Sequence, residues 1–241
     1  MTHPFVVCHM LLSLDGKIDG RFFDAPETAP ALAAYANLRG HYRCPATLYG
    51  TTTMKGGYAD ALAPALSDGG STPPPTDWIS PAGRGMDHFI VSLDPKGELG
   101  FSSHVIAKKS RPPAHVIQVL TERVFPAYLS YLRERGVSYL FAGRERVACA
   151  QLLQKLQAAF GIDRLMVAGG GVTNQSFLRE GLIDELSLVI APVADGGGGA
   201  ALFDGAGFLP PGRPTAFTLV QAEPLAGSTL WLRYRKGAGA E

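Results

Sequence analysis

The stretch VAGGGVTNQSFL, residues 167–178, places three consecutive glycines between an apolar segment and a helical pattern. Glycine costs roughly 0.5–1 kcal/mol relative to alanine inside regular structure, so three in a row indicate unusual dihedrals or a close approach to the backbone. An apolar strand that passes through such a turn into a helix is a βα junction. We expect Gly169, Gly170 and Gly171 to form either a tight structural turn or a ligand site.

Strand and helix patterns alternate on both sides of this junction. The pattern predicts strands at 5–14, 46–50, 88–93, 114–120, 137–143, 163–169 and 184–194, and helices at 29–40, 126–136, 145–161 and 173–181. Such alternation is typical of an α/β fold, a three-layer αβα arrangement around a mostly parallel sheet. Residues 215–236 hold two apolar stretches around a glycine, which predicts a C-terminal antiparallel β-hairpin.

The chain of 241 residues is predicted to form a single domain, 1–241. Residues 62–85 concentrate Pro, Gly, Ser and Asp, the composition of a surface loop. Because strand patterns resume on both sides, we interpret this segment as a loop insertion and not as a domain boundary.

Charge and composition limit the partners. The formal net charge of +1 provides no basic field for nucleic acid or for an anionic membrane surface. The N-terminal apolar run is short and broken by His9, and no later segment approaches a membrane span. We therefore expect a cytoplasmic protein whose partner is a small molecule.

Neither the cysteines nor the histidines suggest a metal site. Cys8, Cys44 and Cys149 lie far apart without a C-x-x-C pair, which is typical of buried free thiols. The six histidines show no spacing that would converge on a metal ion. We predict no metal.

In α/β sheets the ligand crevice lies where parallel strands pass into their helices. A helix that begins near Val172 or Thr173 would present unpaired N–H groups and a positive dipole to an anion. A second junction, Gly50 followed by Thr51, Thr52 and Thr53, could offer hydroxyl and N–H groups to phosphate. The alternative is that Thr51 or Thr52 is simply an N-cap.

A third polar segment, LLSLDGKIDG at residues 11–20, follows the first strand. It places Ser13, Asp15 and Lys17 beyond the strand end, where charge can meet a substrate. Asp15 could instead cap a turn in the Leu-Asp-Gly sequence, and Lys17 could be a solvated lysine.

Together, SLDGKI, the Gly-x-x-Thr after the second strand, GGG and GLIDELSLVIAPV resemble the C-terminal reductase domain of the bifunctional riboflavin-biosynthesis deaminase/reductase, a dihydrofolate-reductase-like fold. The resemblance covers residues 5–231. It implies an NADPH-dependent reductase, usually a homodimer, that reduces the ribosyl ring of an aminouracil phosphate to a ribityl chain. The deaminase motifs, His-x-Glu with Pro-Cys-x-x-C, do not occur in the sequence.

The resemblance also implies roles for single residues. Gly50 and Thr53 match a phosphate-contacting turn, and Ser13 and Asp15 match a loop over the nicotinamide. Residues 169–172 match the glycine motif that holds the nicotinamide and pyrophosphate, where the fold commonly has a cis Gly-Gly peptide. Asp15 is the predicted catalytic residue, which stabilises positive charge on an iminium or relays a proton.

Two departures from the family pattern leave the substrate open. Ala168 stands where the riboflavin reductases usually carry Glu, and the segment after Gly50 lacks their usual Asp-x-Pro. A pteridine-like substrate, or a nucleotide-binding module without turnover, are the alternatives. Preference for NADPH needs a cation near the 2′-phosphate, for which Lys55, Lys96 and Arg123 are candidates.

Overall fold

The computed structural model describes residues 3–62, 64, 66, 73–109, 111–205 and 214–237. The chain forms two compact units. The central unit consists mainly of Pro45–Asp163, and the terminal unit combines Phe5–Cys44 with Arg164–Glu241. Strands and helices are numbered along the whole chain.

The terminal unit is a five-stranded sheet with two helices. Its strands follow the order β11-β12-β10-β1-β9, and α1 packs against β1 and β10. The strands are β1 (Phe5–Leu12), β9 (Arg164–Val167), β10 (Glu185–Ile190), β11 (Phe217–Pro224) and β12 (Leu230–Lys236), and the helices are α1 (Ala29–Tyr42) and α5 (Gly171–Arg179).

Strand β1 lies between β10 and β9 and is buried along nearly its whole length. It pairs in parallel with β10 on one side and with β9 on the other. Strands β11 and β12 form an antiparallel hairpin, and β12 continues the sheet by antiparallel pairing with β10. The parallel strands therefore end in the loops that begin at Ser13, Ala168 and Ala191.

The central unit repeats the βα pattern with shorter elements. Strands β2, β4, β7 and β8 pair in parallel in that order, and β6 adds antiparallel pairing to the start of β7. The strands are β2 (Ala46–Gly50), β3 (Ala61–Leu62), β4 (Phe89–Leu93), β5 (Leu99–Gly100), β6 (Val105–Ile106), β7 (Ala114–Leu120) and β8 (Ser138–Phe141), and the helices are α2 (Thr51–Lys55), α3 (Ala127–Glu134) and α4 (Cys149–Phe160).

The predicted α/β class, the mostly parallel pairing and the C-terminal hairpin are confirmed. Helix boundaries differ in ways that have local causes. Helix α1 continues through Gly40 to Tyr42 and is terminated by its C-cap Arg43, which adopts a left-handed φ of 47°. Helix α4 begins only at Cys149, because the residues before it form a turn in which the N–H of Ala148 bonds the carbonyl of Ala142. Within the predicted insertion, residues 63, 65 and 67–72 lie outside the described residues.

Two of the three cysteines are buried, as expected. Cys8 lies in the middle of β1 and Cys149 at the start of α4, whereas Cys44 is partly exposed. Burial raises the pKa of the Cys8 thiol to about 12. Within the described ranges, no group of His, Cys, Asp or Glu side chains could hold a metal ion, and no helix is long and apolar enough to span a membrane.

Candidate functional site

The glycine turn of the terminal unit connects β9 to α5. Gly169 and Gly170 have φ of 144° and 79°, values that favour glycine, and the peptide between them is trans. Helix α5 begins at Gly171, and its N-cap, Gly170, has no side chain to satisfy the first turn. No acceptor for the backbone N–H groups of Gly171, Val172 and Thr173 is found among the described residues. The turn therefore presents three unpaired donors at the positive end of a helix.

Gly170 and Gly171 differ in how much space surrounds the position of a Cβ atom. A Cβ atom on Gly171 would lie 2.5 Å from the Ala201 carbonyl oxygen and 2.7 Å from the Asp204 Cβ, so packing alone requires glycine there. A Cβ atom on Gly170 would find only the Thr173 side chain, with Oγ1 at 3.5 Å. The structural reading of the turn explains Gly171, while Gly170 leaves open space beside the backbone.

Ser13, Asp15 and Lys17 form a tight turn at the end of β1. The Ser13 hydroxyl donates to Asp15 Oδ1 at 2.6 Å and accepts the Lys17 N–H at 2.9 Å. The Ser13 N–H bonds the Lys17 carbonyl at 3.0 Å, and Gly16 has a φ of 77°. Ser13 is buried, at 2% exposure. Its hydroxyl therefore serves the turn itself.

Asp15 binds a second loop of the same unit. Oδ1 accepts the N–H of Asp195 at 2.9 Å, and Oδ2 accepts that of Gly196 at 3.1 Å. The bond from Ser13, followed by those from Asp195 and Gly196, lowers the pKa of Asp15 to about 2. Asp15 is consequently a carboxylate at neutral pH, and its turn-capping role extends to a loop that is distant in sequence.

This second loop, residues 193–204, was missed by the sequence reasoning. Its Asp195 carboxylate accepts the N–H of Phe22 at 2.8 Å, and a Cβ on Gly199 would lie 2.0 Å from the Asp19 carbonyl oxygen. The buried Asn174 of α5 donates to the Leu202 carbonyl at 2.9 Å, while its Oδ1 has no hydrogen-bond partner among the described residues. The available signal was the run of four glycines, 196–199.

Residues 200–204 join the two predicted site segments. The N–H of Asp204 bonds the Gly171 carbonyl at 3.1 Å, and the N–H of Leu202 bonds the Gly16 carbonyl at 3.3 Å. Lys17 and Ala201 form a backbone bridge, and the Lys17 ammonium has no hydrogen bond or ion pair to a described residue. The structure thus brings the glycine turn and the Ser13–Lys17 turn against the same loop.

The Gly50–Thr53 junction belongs to the central unit. Gly50 is the N-cap of α2, so the alternative that Thr51 or Thr52 fills that position is wrong. The Thr51 hydroxyl donates to the Leu93 carbonyl at 2.7 Å, which joins the ends of β2 and β4. Helix α2 has five residues and provides little dipole.

The three predicted cations differ in their partners. Lys55 Nζ lies 2.9 Å from Glu98 Oε2, so its charge is compensated within the protein. Lys96 and Arg123 form no ion pair with any carboxylate in the described part of the chain. The ion pair lowers the pKa of Glu98, chiefly through the Lys55 hydrogen bond.

The glycine turn fits the phosphates of a nucleotide. Its unpaired N–H groups are donors for phosphate oxygens, and Gly170 allows a ligand to contact bare backbone. The same unit also contains the Lys17 ammonium and the buried Asn174 Oδ1, for which no hydrogen-bond donor is found among the described residues. None of the residues in the first turn of α5 itself is acidic, although Asp204 of the neighbouring loop lies against Gly171.

Comparisons with known proteins identify the family of the chain. The sequence profile of the RibD C-terminal domain matches residues 4–230. The 2,5-diamino-6-ribosylamino-4(3H)-pyrimidinone 5′-phosphate reductase of Methanothermobacter thermautotrophicus is 28% identical over 210 residues, which cover 85% of each chain.

Two solved structures share the fold. A pyrimidine reductase-like protein from Corynebacterium diphtheriae has a TM-score of 0.70 at 17% identity and covers 98% of this chain and 93% of its own. The riboflavin biosynthesis reductase of Saccharomyces cerevisiae has a TM-score of 0.61 at 20% identity, with coverage of 98% and 90%. With a family profile that spans nearly all of its length, the chain belongs to the RibD C-terminal domain family.

Proposed function

We propose that this protein is an NADPH-dependent reductase of riboflavin biosynthesis that converts the ribosylamino group of a pyrimidine 5′-phosphate to a ribitylamino group. The observation that carries the proposal is the uncapped N-terminus of α5, where three backbone N–H groups have no acceptor among the described residues. Family membership supplies the reaction class, since the Methanothermobacter relative is named as such a reductase.

Two substrates of the same chemical class compete. The relative is named for a 2,5-diaminopyrimidinone, whereas the sequence resemblance points to 5-amino-6-(5-phosphoribosylamino)uracil. The two differ at ring position 2, which carries an amino group in the first compound and an oxo group in the second. Ala168, which offers no hydrogen bond from its side chain, follows β9 in the terminal unit. Reduction rates with both compounds decide between them.

In this proposal the terminal unit holds the cofactor. The N–H groups of Gly171, Val172 and Thr173 bind the pyrophosphate, and Gly169 and Gly170 let it approach the main chain. Bound NADPH supplies a hydride to the electrophilic carbon of an imine or carbonyl. The protein contributes orientation and electrostatics. In the central unit, Gly50, Thr51 and Thr53 remain predicted phosphate contacts.

Ser13, Asp15 and Lys17 form the substrate side of the proposed site. Asp15 stays ionised at neutral pH, which suits the stabilisation of positive charge on an iminium better than proton donation. Ser13 fixes this carboxylate through the 2.6 Å hydrogen bond. The Lys17 ammonium, which has no described partner, is available to the substrate phosphate.

The proposal is tested by titrating the protein with NADPH and NADH and following the fluorescence of the reduced nicotinamide. Gly170→Val places a branched side chain at a φ of 79° beside the helix N-terminus. Gly161→Val is the matched control, because Gly161 has a φ of 65° and no neighbouring atom at its Cβ position. We expect NADPH binding to be lost in the first variant and kept in the second.

The outcomes separate the alternatives. Folded wild-type protein that binds neither cofactor would show that the glycines are structural, and the reductase proposal would fail. NADPH binding without oxidation by either pyrimidine phosphate or by a pteridine would favour a non-catalytic nucleotide-binding module. Turnover of a pteridine alone would assign a different substrate.

A homodimer in the cytoplasm is also part of the proposal. Strand β11 supports the dimer, because its Leu219 and Val220 side chains are 51% and 46% exposed. Sedimentation equilibrium tests the dimer, and a monomer at micromolar concentration would contradict it. Cell fractionation tests the cytoplasmic location.

A further inference from the structure

Two tyrosines and an arginine form a cluster in the central unit. Tyr49, buried in β2, stacks on Tyr58, which follows α2, with ring centroids 4.4 Å apart. The Tyr58 hydroxyl donates to the Tyr49 hydroxyl at 2.9 Å. Arg111 Nη1 donates to both hydroxyl oxygens, at 2.9 Å to Tyr49 and 3.1 Å to Tyr58. One nitrogen of the guanidinium is therefore held in place by the phenol pair.

The other two nitrogens of the Arg111 guanidinium form no hydrogen bond with the described residues. Among the described residues, neither Nε nor Nη2 forms a hydrogen bond, and no carboxylate forms an ion pair with this guanidinium. The residue as a whole is exposed. Because the guanidinium is held at one nitrogen and exposed to solvent, its other N–H groups can donate hydrogen bonds to an anion.

Lys108 brings a second cation to the same tyrosine. Its Nζ lies 5.1 Å from the centroid of the Tyr58 ring and donates to the Gly57 carbonyl. Lys108 and Arg111 therefore both contact Tyr58, and two positive charges beside the same side chain repel each other. An anion between or beside them would relieve this repulsion.

The nearby carboxylates are already engaged. Asp60 accepts hydrogen bonds from Ser102, from its N–H at 2.7 Å and from its hydroxyl at 2.6 Å. These bonds are the main cause of the lowered pKa of Asp60, and the charge of Lys108 adds to them from beyond ion-pair distance. Glu98 pairs with Lys55. The cluster thus keeps an excess of positive charge.

We infer that Arg111 and Lys108 form a subsite for a phosphomonoester, with Tyr49 and Tyr58 as positioning residues for the guanidinium. The inference rests on the proposed function, since that reaction brings two phosphomonoesters to the enzyme, the 2′-phosphate of NADPH and the 5′-phosphate of the substrate. An arginine that the phenols hold in advance loses less side-chain entropy when it binds such a group.

The test measures binding by calorimetry for two ligand pairs that differ only in the phosphate. NADPH against NADH reports the 2′-phosphate, and ribose 5-phosphate against ribose reports the 5′-phosphate. The variants are Arg111→Gln and Lys108→Gln. Arg144→Gln is the matched control, because Arg144 lies in the same unit, its side chain is 85% exposed and its ion-pair partner in the described part of the chain is Glu122.

We expect Arg111→Gln to weaken one phosphate-bearing ligand at least about tenfold, while its phosphate-free counterpart and the Arg144→Gln variant stay unchanged. Loss confined to NADPH assigns the subsite to the cofactor, and loss confined to ribose 5-phosphate assigns it to the substrate. If Arg111→Gln does not fold, Arg111→Lys and Lys108→Gln decide by the same criterion.

Equal binding of both phosphates by the Arg111 and Lys108 variants and by the wild type would overturn the inference. Tight NADPH binding in that case would leave the proposed function intact. Wild-type protein that binds ribose 5-phosphate through Arg111 but does not bind NADPH would instead defeat the proposed cofactor and keep the subsite.

Discussion

Asp15 and Asp195 each cap the loop that carries the other. Asp15 Oδ1 accepts the N–H of Asp195 at 2.9 Å, and the Asp195 carboxylate accepts the N–H of Phe22, beyond the Asp15 turn, at 2.8 Å. This exchange ties two loops at the ends of neighbouring parallel strands, β1 and β10. The position of Asp15 in the proposed site therefore depends on a residue 180 positions away.

Asp15→Asn is expected to lower kcat by at least about tenfold, because the neutral amide removes the charge proposed to face the iminium. The amide oxygen can still accept one of the two N–H groups but the amide nitrogen cannot accept the other, so the melting temperature should fall as well, and kcat is compared well below it. Steady-state kinetics and thermal denaturation measure both quantities.

Asp19→Asn is the control, since Asp19 lies in the same segment and its side chain accepts the N–H of the following residue, Gly20. Equal kcat for the Asp15 and Asp19 variants would remove Asp15 from the catalytic machinery.

Gly171→Ala should destabilise the protein by about 1–3 kcal/mol, because the added methyl overlaps Ala201 and Asp204. Gly198→Ala, where a Cβ meets no atom, should change the free energy of unfolding by less than about 0.5 kcal/mol. Urea denaturation compares the two variants. Equal stability of both would mean that the loop moves away from Gly171 at no cost.

Glu185 is the buried anion of the terminal unit. Its Oε1 accepts from Tyr42 and from Arg233, each at 2.7 Å, and Arg235 approaches Oε2 at 3.3 Å. Although burial alone would raise the pKa of Glu185, these bonds lower it. Glu185→Gln leaves Arg233 without its counterion and should cost about 3–5 kcal/mol of stability.

The matched control is Glu223→Gln on exposed β11, whose described partner is Gln221. Denaturant titration of both variants at neutral pH measures the difference. A loss for Glu185→Gln no larger than for the control would contradict the assignment of this network.

His115 predicts a pH dependence of stability. Its ring is buried between Ser138 Oγ, at 2.8 Å, and His104 Nδ1, at 3.2 Å. Burial, and next the charge of His104, lowers the pKa of His115 to about 4. Because the unfolded chain takes up the proton at a pH near 6.5, the stabilising contribution is complete above that pH and is lost as the pH falls to about 4.

The expected loss is on the order of 3 kcal/mol over that interval. His115→Gln should flatten this part of the pH profile of the unfolding free energy, whereas exposed His88→Gln should not. Identical profiles for the two variants would show that folding does not change the pKa of His115.

The features that could be predicted from the sequence depend on residues that lie close together in the chain. The glycine turn and the two segments of the hairpin follow from residue types at fixed spacing, and so does turn capping by Asp15, which was the alternative to the predicted catalytic role. Helix α5 begins two residues before the predicted start at Thr173, because Gly171 belongs to the helix although a run of glycines suggests a turn.

Contacts distant in sequence could not be predicted in this way. The sequence around Asp15 does not indicate that its partners are Asp195 and Gly196. The spacing between Tyr49, Tyr58 and Arg111 likewise follows no motif. Such groups meet only because parallel strands bring remote loops to one place. The run of four glycines, 196–199, was visible, but glycines alone do not identify the partner that approaches them.

The placement of the three cysteines offers a chemical reporter. Cys8 and Cys149 are buried. The pKa of the Cys8 thiol, raised to about 12 by burial, keeps it in the unreactive protonated form. A maleimide dye should therefore modify Cys44 first, and the other two positions only in molecules that open. Counting labelled sulfurs by mass spectrometry would then report the fraction of open molecules directly, without denaturant and without an engineered tag.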